Sequence, residues 1–281
     1  MSQIYITIAI KALPLAELQD DMTAPPRSAY RFDEDFEVGI GRNKMTGPTG
    51  KAGQIVAIME QRLIHGYYSP GEMLSFSMLA EEFNVSRQPV GAAIAHLRMA
   101  GYVEVMPQVG CQIVVSSESE VLDFFLMLGK IESATAALAA KRHKDREVEG
   151  LLAIQPPRDL SELSGHQAQR QAYIHYVDEY HNQIWKMARA PLLEAKFSGL
   201  RRLAHFYLWQ GIGTLTTEAA KKLSAERREI ARAIKARDAD EAARLMEAHI
   251  IGKPVSVGFN AEQLQEKSRD GGKRSAGRTS N

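Results

Sequence analysis

The sequence is organised around the stretch Phe83-Asn84-Val85-Ser86-Arg87-Gln88-Pro89-Val90, which predicts a tight turn leading into a helix. Ser86 suits the N-cap position, because its hydroxyl can accept a hydrogen bond from a backbone N–H two or three residues later. Pro89 then lies in the first helical turn, where its missing N–H costs little. After the turn, apolar residues recur at i, i+3, i+4 and i+7 and predict one buried stripe. They are Val90, Ala93, Ile94 and Leu97.

The opposite face of this helix is predicted to be exposed and to carry small and polar side chains. These are Arg87, Gln88, Gly91, Ala92 and His96. A short helix over 78–83 precedes the turn. Two short helices joined by a turn, the second with an arginine at its exposed N-terminus, are typical of a helix-turn-helix. In that motif the second helix enters the DNA major groove.

Residues 49–116 are predicted to form one domain around this motif. A helix that ends at Gly66 precedes it, and two short β-branched runs over 102–105 and 112–115 follow it. Pro107-Gln108-Val109-Gly110 joins these two runs as the tip of a hairpin. Three helices and a two-stranded hairpin indicate a winged helix-turn-helix.

Residues 117–255 show only helical periodicity, so the predicted fold class is mainly α, an N-terminal winged helix-turn-helix plus a C-terminal all-α bundle. We expect a long helix from about Ser119, an interruption at Pro156-Pro157, and further helices over about 166–188, 192–210, 217–236 and 239–251. Residues 1–48 and 256–281 lack such a period and are predicted to be a disordered leader and a disordered tail.

The composition is that of an ordinary globular protein, with 281 residues, 44% hydrophobic and 25% charged. One cysteine, Cys111, excludes an intramolecular disulfide and suits a reducing cytoplasm. We expect no membrane span, because no apolar run approaches the roughly 18 residues that one requires. We also expect no enzyme, because no Gly-rich phosphate loop, Ser/His/Asp set or paired-carboxylate motif stands out.

Three spaced segments, Ile64–Gly71, Leu79–Val90 and Leu97–Val103, resemble the GntR family of bacterial transcription regulators. Further along, Asp178-Glu179-Tyr180-His181 and the segment from Ile234 to His249 are similar to the all-helical effector domain (FCD-like) of the FadR-type subfamily. The resemblance implies a transcription regulator that binds an operator in double-stranded DNA as a homodimer. It also implies that a small-molecule effector changes the affinity for DNA.

The resemblance places the DNA contacts at the start of the second helix and at the wing tip, on Ser86, Arg87, Gln88, Gln108 and Gly110. Three positions where the family often carries a basic residue are instead Ser77, Gly91 and Val109. Residues 50–116 hold four basic and five acidic side chains. Because DNA affinity rests largely on phosphate contacts, this domain can neutralise few phosphates. The alternative interpretation is a ligand-sensing or protein-interaction protein with weakened DNA binding.

An effector site is predicted where three helices meet. Periodicity places His181, Arg227 and His249 on the buried faces of their helices, and buried polar groups that converge make a pocket plausible. FadR-type effector domains often hold a metal on one Asp and three His, next to a carboxylate ligand. The resemblance maps those four positions onto Val177, His181, Arg227 and His249.

We therefore expect no metal cofactor. Two of the four ligands are replaced, and the guanidinium of Arg227 beside His181 and His249 repels a divalent cation. Asp178 could supply a ligand only if its helix rotated by about a third of a turn.

Two interpretations of Arg227 stay open. It can anchor an anionic metabolite directly in place of the metal, in a site completed by His181, His249 and Asp178. Alternatively it pairs internally with Asp178 or Glu179, since a buried arginine needs an acidic partner. A further family arginine on the long first helix is Leu128 here, so the set of cations is small.

Overall fold

The computed structural model describes residues 48–157, 167–209 and 216–257. The predicted disordered leader and tail lie outside these ranges, apart from one or two residues at their inner ends. The elements follow in chain order as α1 (Gly50–Ile64), β1 (Met73–Ser75), α2 (Phe76–Glu82), α3 (Arg87–Met99), β2 (Val103–Met106), β3 (Gly110–Ile113), α4 (Glu118–Arg142), α5 (Asp145–Ala153), α6 (Gln167–Ala188), α7 (Pro191–Trp209), α8 (Thr217–Lys235) and α9 (Ala239–Ser256).

The helix-turn-helix is formed by α2 and α3. Helix α2 begins at Phe76, two residues earlier than predicted, because the hydroxyl of Ser75 accepts a hydrogen bond from the Met78 N–H at 3.1 Å. The predicted buried stripe of α3 is confirmed, since all four of its side chains are fully buried. The opposite face of α3 is left available for contacts outside the domain.

The predicted hydrogen bond at the start of α3 is wrong. Ser86 does occupy the N-cap position, with φ −70° and ψ 166°, but its hydroxyl accepts no cap hydrogen bond. The third helical residue is Pro89, which has no N–H to donate, so the usual partner of a capping hydroxyl is missing. The Ser86 side chain is exposed.

The sheet has three strands, in the order β1-β3-β2, and all pairs are antiparallel. The predicted two-stranded hairpin is therefore incomplete. Strand β1 has only three residues and is too short to show an alternating pattern in the sequence. In the observed register Cys111 of β3 lies between Leu74 of β1 and Val105 of β2. Gly110 pairs with Met106, so the wing tip consists of residues 107–109.

The C-terminal bundle is built around α4, which packs against α9, α6 and α8. Ser117 and Glu120 form a capping box that fixes the start of α4. A Cβ on Gly129 would lie 2.9 Å from Ile251 Cγ1, so a glycine here permits the close approach of α4 to α9. The structure also divides the region before Pro156 into α4 and α5, a break that the sequence reasoning did not identify.

Helix α7 joins the two domains through contacts on α1 and the wing. The Nε–H of Arg202 and the hydroxyl of Tyr102 both donate to Oε1 of Glu60, each at 2.9 Å. The rings of Tyr102 and Phe206 meet edge to face, with centroids 5.0 Å apart. Among the described helices none is long and apolar enough to cross a membrane.

Candidate functional site

Arg87 is the first residue of α3, and its side chain is exposed beside Gln88. Within the described ranges the structure records no hydrogen bond or ion pair for the Arg87 guanidinium. Further along the same face, a Cβ on Gly91 would meet nothing within 4 Å. The start of α3 therefore presents the guanidinium of Arg87, which has no partner among the described residues. It also presents two exposed polar side chains, Ser86 and Gln88, and open space at Gly91.

The two wing residues predicted to contact DNA have different environments. Gln108 is exposed at the tip, with a left-handed φ of 64°. Gly110 is buried, and a Cβ there would lie 2.1 Å from the carbonyl oxygen of Leu74. Gly110 thus lets β1 and β3 approach each other and contributes to the surface only by shaping the tip that carries Gln108.

The first domain has fewer available cations than its sequence suggests. Arg62 is buried, where it donates to the Tyr68 hydroxyl at 3.1 Å and forms an ion pair with Glu82. Its guanidinium also lies over the Tyr67 ring, 5.0 Å from the centroid. The cations that remain exposed in the described part of this domain are Lys51, Arg87 and Arg98.

Cys111 is fully buried, and burial raises the pKa of its thiol to about 11. It packs as a small apolar residue.

The three polar residues predicted to converge in the bundle are all buried, with 1% exposure each for His181, Arg227 and His249. They lie on α6, α8 and α9, respectively. The rings of His181 and His249 stack with centroids 6.0 Å apart. Nδ1 of His249 lies 2.8 Å from a carboxylate oxygen of Glu226, while its Nε2 is buried and has no hydrogen-bond partner among the described residues.

Arg227 is held by aromatic side chains. Its guanidinium carbon lies 5.6 and 5.1 Å from the ring centroids of Tyr173 and Tyr176, and it donates to the Tyr173 hydroxyl at 3.3 Å. The described residues include no carboxylate in an ion pair with it. Asp178 instead lies 3.0 Å from Nε2 of His205. The predicted internal pairing of Arg227 with Asp178 or Glu179 is therefore not formed.

The site contains residues that the sequence reasoning missed. Lys253 Nζ lies 3.3 Å from His181 Nε2. Glu132 is buried, accepts a hydrogen bond from Trp185 Nε1 at 3.0 Å, and has one oxygen 3.5 Å from His181 Nδ1. Arg201 Nη1 lies 3.7 Å from the other oxygen of Glu132.

The missed residues did leave signals in the sequence. Lys253 follows His249 by four residues and therefore shares its face, but the predicted helix stopped at Ile251. Glu132 follows the buried Leu128 by four residues and Phe125 by seven, which places it on the buried stripe of α4.

Burial sets the protonation of this cluster. It lowers the pKa of His181 well below the ordinary value, and Lys253 and Arg201 add to the shift. Burial likewise lowers the pKa of His249, with further contributions from Lys253 and Arg227. Burial lowers the pKa of Lys253 to about 7 and raises that of Glu132. The two imidazoles are therefore neutral at neutral pH.

The donor set does not fit the metal that FadR-type domains often hold. His181 directs Nε2 at the ammonium group of Lys253, and Arg227 lies close enough to depress the pKa of His249. A divalent cation would face these two positive charges with two imidazoles and no carboxylate in the position of Val177. In the described ranges, no group of three or more His, Cys, Asp or Glu side chains is arranged to hold a metal.

A small cavity lies between α4, α6, α7 and α9. It holds about 20 Å³, which is room for about one water molecule. Its polar lining consists of Asp178, His181, Arg201, His205 and Lys253. Arg227 and His249 are not part of this lining. The cations that face the cavity are therefore Arg201 and Lys253.

A winged helix-turn-helix joined to a helical bundle with a buried polar site defines a class, the two-domain DNA-binding regulators. Residues 51–113 match the bacterial regulatory proteins of the gntR family, and residues 123–252 match the FCD domain. The chain belongs to the GntR family of transcription regulators and carries an FCD domain. GntR regulators bind DNA, and FCD domains bind small-molecule effectors.

Individual relatives are distant. The chain is 22% identical over 217 residues to the HTH-type transcriptional repressor RspR of Escherichia coli (strain K12), covering 77% of this chain and 91% of the repressor. It is 23% identical over 217 residues to the HTH-type transcriptional repressor GlaR of the same organism, covering 71% of this chain and 91% of that repressor.

Two solved structures share the fold. E. coli McbR/YncC has a TM-score of 0.55 at 17% identity, covering 81% of this chain and 99% of that one. A putative transcriptional regulator GntR from Rhodococcus sp. RHA1 has a TM-score of 0.54 at 14% identity, covering 74% of this chain and 97% of that one.

Proposed function

We propose that this protein is a ligand-responsive transcription regulator that binds an operator in double-stranded DNA as a homodimer, without enzymatic activity. The observation that carries the proposal is Arg87, an exposed arginine with no partner among the described residues, on the first turn of α3. In a helix-turn-helix this end of the second helix points into the major groove. An arginine there can bind the O6 and N7 acceptors of guanine or a phosphate.

The neighbouring side chains complete a small contact set. The Ser86 hydroxyl is exposed and makes no cap hydrogen bond, so it is free to donate to a phosphate. Gln88 lies beside Arg87 and can read an adenine edge. Gln108 is exposed at the wing tip and can contact the DNA backbone or the minor groove, and Gly110 permits the close approach of β1 and β3 beside the tip.

The same surface also favours a second candidate, a ligand-sensing or protein-interaction protein with weakened DNA binding. Arg62 is buried, so only Lys51, Arg87 and Arg98 of each subunit are exposed to neutralise phosphates in the described part of the first domain. A homodimer doubles this number. Each phosphate contact contributes about −0.9 to the slope of log affinity against log salt, so this set gives a shallower slope than a strongly basic domain.

Regulation follows from linkage between the two domains. A ligand that binds one arrangement of the dimer more tightly than another shifts the equilibrium between them. The largest change in the free energy of operator binding equals the difference in the ligand's binding free energy for the two arrangements. We propose that the ligand is a small anionic metabolite and that it binds in the FCD domain at the cluster of His181, Asp178, Arg227 and His249. Arg201 and Lys253, which face the cavity beside His181, and Arg227, which lies behind it, support an anion.

The DNA-binding proposal is tested by fluorescence anisotropy with an inverted-repeat fragment from upstream of the protein's own gene. Titrations at about 50 and about 200 mM salt compare the wild type, Arg87→Ala and Arg228→Ala. Arg228 is also an exposed arginine, on α8, and serves as the matched control. We expect Arg87→Ala to weaken operator binding about tenfold or more, while Arg228→Ala leaves it unchanged.

Weak binding that depends neither on the DNA sequence nor on Arg87 would contradict this proposal and favour the second candidate. The homodimer is tested separately by light scattering after gel filtration. A molar mass twice that of the chain is expected, and a monomer at the concentrations used for DNA binding would exclude the symmetrical complex.

A further inference from the structure

The polar half of the cavity presents two cations with unused hydrogen-bonding capacity. Lys253 contacts His181 there, and Arg201 enters from α7. Among the described residues, Nη1 of Arg201 is buried without a hydrogen-bond partner, and it forms an ion pair with Glu132 at 3.7 Å. Asp178, the carboxylate in the cavity wall, is already engaged by His205. A bound anion would satisfy both cationic groups.

The amine of Lys253 lies 3.3 Å from Nε2 of His181, so it occupies space that a metal bound through that nitrogen would require. Since the imidazole is neutral, Nε2 can accept a hydrogen bond from the ammonium, which leaves the other ammonium protons for a ligand. The guanidinium of Arg201 thus supplies a positive charge for binding an anion, and Lys253 adds a second one when its amine is protonated.

The remaining lining of the cavity is aliphatic. It consists of Leu128, Val177, Ala204, Leu208 and Ile250. A molecule with a carboxylate at one end and a short hydrocarbon chain at the other matches a cavity with one polar and one aliphatic side. A second carboxylate would face side chains that offer no hydrogen bonds, which is costly for a charged group.

We propose that Lys253 and Arg201 form the carboxylate-binding pair of this site and that its ligand is a short aliphatic monocarboxylate, bound without a metal ion. The inference deepens the proposed function and rests on it only in treating the ligand as the effector. Arg227 lies behind the cavity, where Tyr173 and Tyr176 hold its guanidinium.

The test is isothermal titration calorimetry on the full chain after treatment with EDTA, with butanoate, succinate, butylammonium and zinc chloride as separate titrants. We expect butanoate to bind once per chain, succinate to bind about tenfold more weakly, and butylammonium and zinc not to bind. Lys253→Met should weaken butanoate binding about tenfold or more. Lys221→Met, which removes an exposed lysine on α8, is the matched control and should bind as the wild type does.

Arg201→Gln provides a second variant, and circular dichroism establishes that each variant is folded. Butanoate binding that persists in both variants would overturn the proposal. Failure of the wild type to bind butanoate, or binding that requires added zinc, would overturn it as well, and neither result depends on a variant. Operator binding is measured without ligand, so a failure of the proposed DNA function is distinguishable from a failure at this site.

Discussion

Gly91 leaves open space on the face of α3 that carries Arg87. The family often carries an arginine at this position, and here a side chain would enter open space on an otherwise regular helix. A glycine inside a helix is less favourable than alanine by about 0.5–1 kcal/mol. Its presence thus lowers both the helical stability and the positive charge of the exposed face of α3.

Gly91→Arg is therefore expected to strengthen operator binding. The binding free energy should improve by about 1 kcal/mol or more, which is roughly a fivefold or greater gain in affinity, if the new guanidinium reaches a base or a phosphate. Gly91→Ala separates this effect from that of a stiffer helix. Anisotropy titrations at several salt concentrations provide the measurement, and a phosphate contact would steepen the salt slope by about 0.9 per site. Identical affinities for Gly91→Arg and Gly91→Ala would show that this face of α3 does not meet DNA.

At the scale of the element, the wing depends on the close approach of β1 to β3 at Gly110. The two strands are short, so few other contacts fix their register. A methyl group on Gly110 cannot be accommodated by rotation of a side chain, because the obstructing atom is the backbone carbonyl oxygen of Leu74.

Gly110→Ala is consequently expected to lower the free energy of unfolding by about 2 kcal/mol or more. Gly91→Ala introduces the same methyl group where nothing lies within 4 Å, and it should raise the free energy of unfolding by about 0.5–1 kcal/mol. Thermal unfolding of the two variants, monitored by circular dichroism, should give melting temperatures that shift from the wild-type value in opposite directions. A melting temperature for Gly110→Ala equal to that of the wild type would mean that β1 does not pack at this position.

The elements differ in how far the sequence could predict them. The helices have a clear period of buried residues, so the buried stripe of α3 and the inward positions of His181, Arg227 and His249 followed from spacing alone. Strand β1 has too few residues to show a period. The extension of α9 to Ser256 was missed because Pro254 lies in its last turn, where the helix nevertheless continues.

That missed turn explains why the site was only partly predicted. Lys253 lies within it, and the preference of Asp178 for His205 over Arg227 depends on how α6 and α7 pack together. Spacing within one helix indicates which residues point inward. It does not indicate which residue of another helix they meet.

At the scale of the whole molecule, α7 belongs to both domains. One face lines the polar cavity through Arg201 and His205, and another packs on the first domain through Phe206 and the ion pair of Arg202 with Glu60. Since the cavity has room for about one water molecule, a larger ligand requires α7 or a neighbouring helix to move. Such a movement would displace the contacts of α7 on the first domain.

Arg202→Met is expected to weaken the coupling between ligand and DNA while leaving each binding step in place. The ratio of DNA dissociation constants with and without butanoate, typically about 5–150 in allosteric proteins, should fall towards one. Anisotropy with and without saturating butanoate gives the ratio, and calorimetry verifies that butanoate still binds. Arg228→Ala is the control. An unchanged ratio in Arg202→Met would exclude this ion pair from the route of communication.

The small size of the cavity also determines how fast a ligand can enter. Because the cavity has room for about one water molecule, a larger ligand enters only when the surrounding helices move apart, so the rate of that movement limits association once ligand is abundant. The observed rate of binding would then rise with ligand concentration and level off, instead of increasing in proportion. Regulation would respond to changes in metabolite concentration on the timescale of helix motion, however rapidly the metabolite itself diffuses.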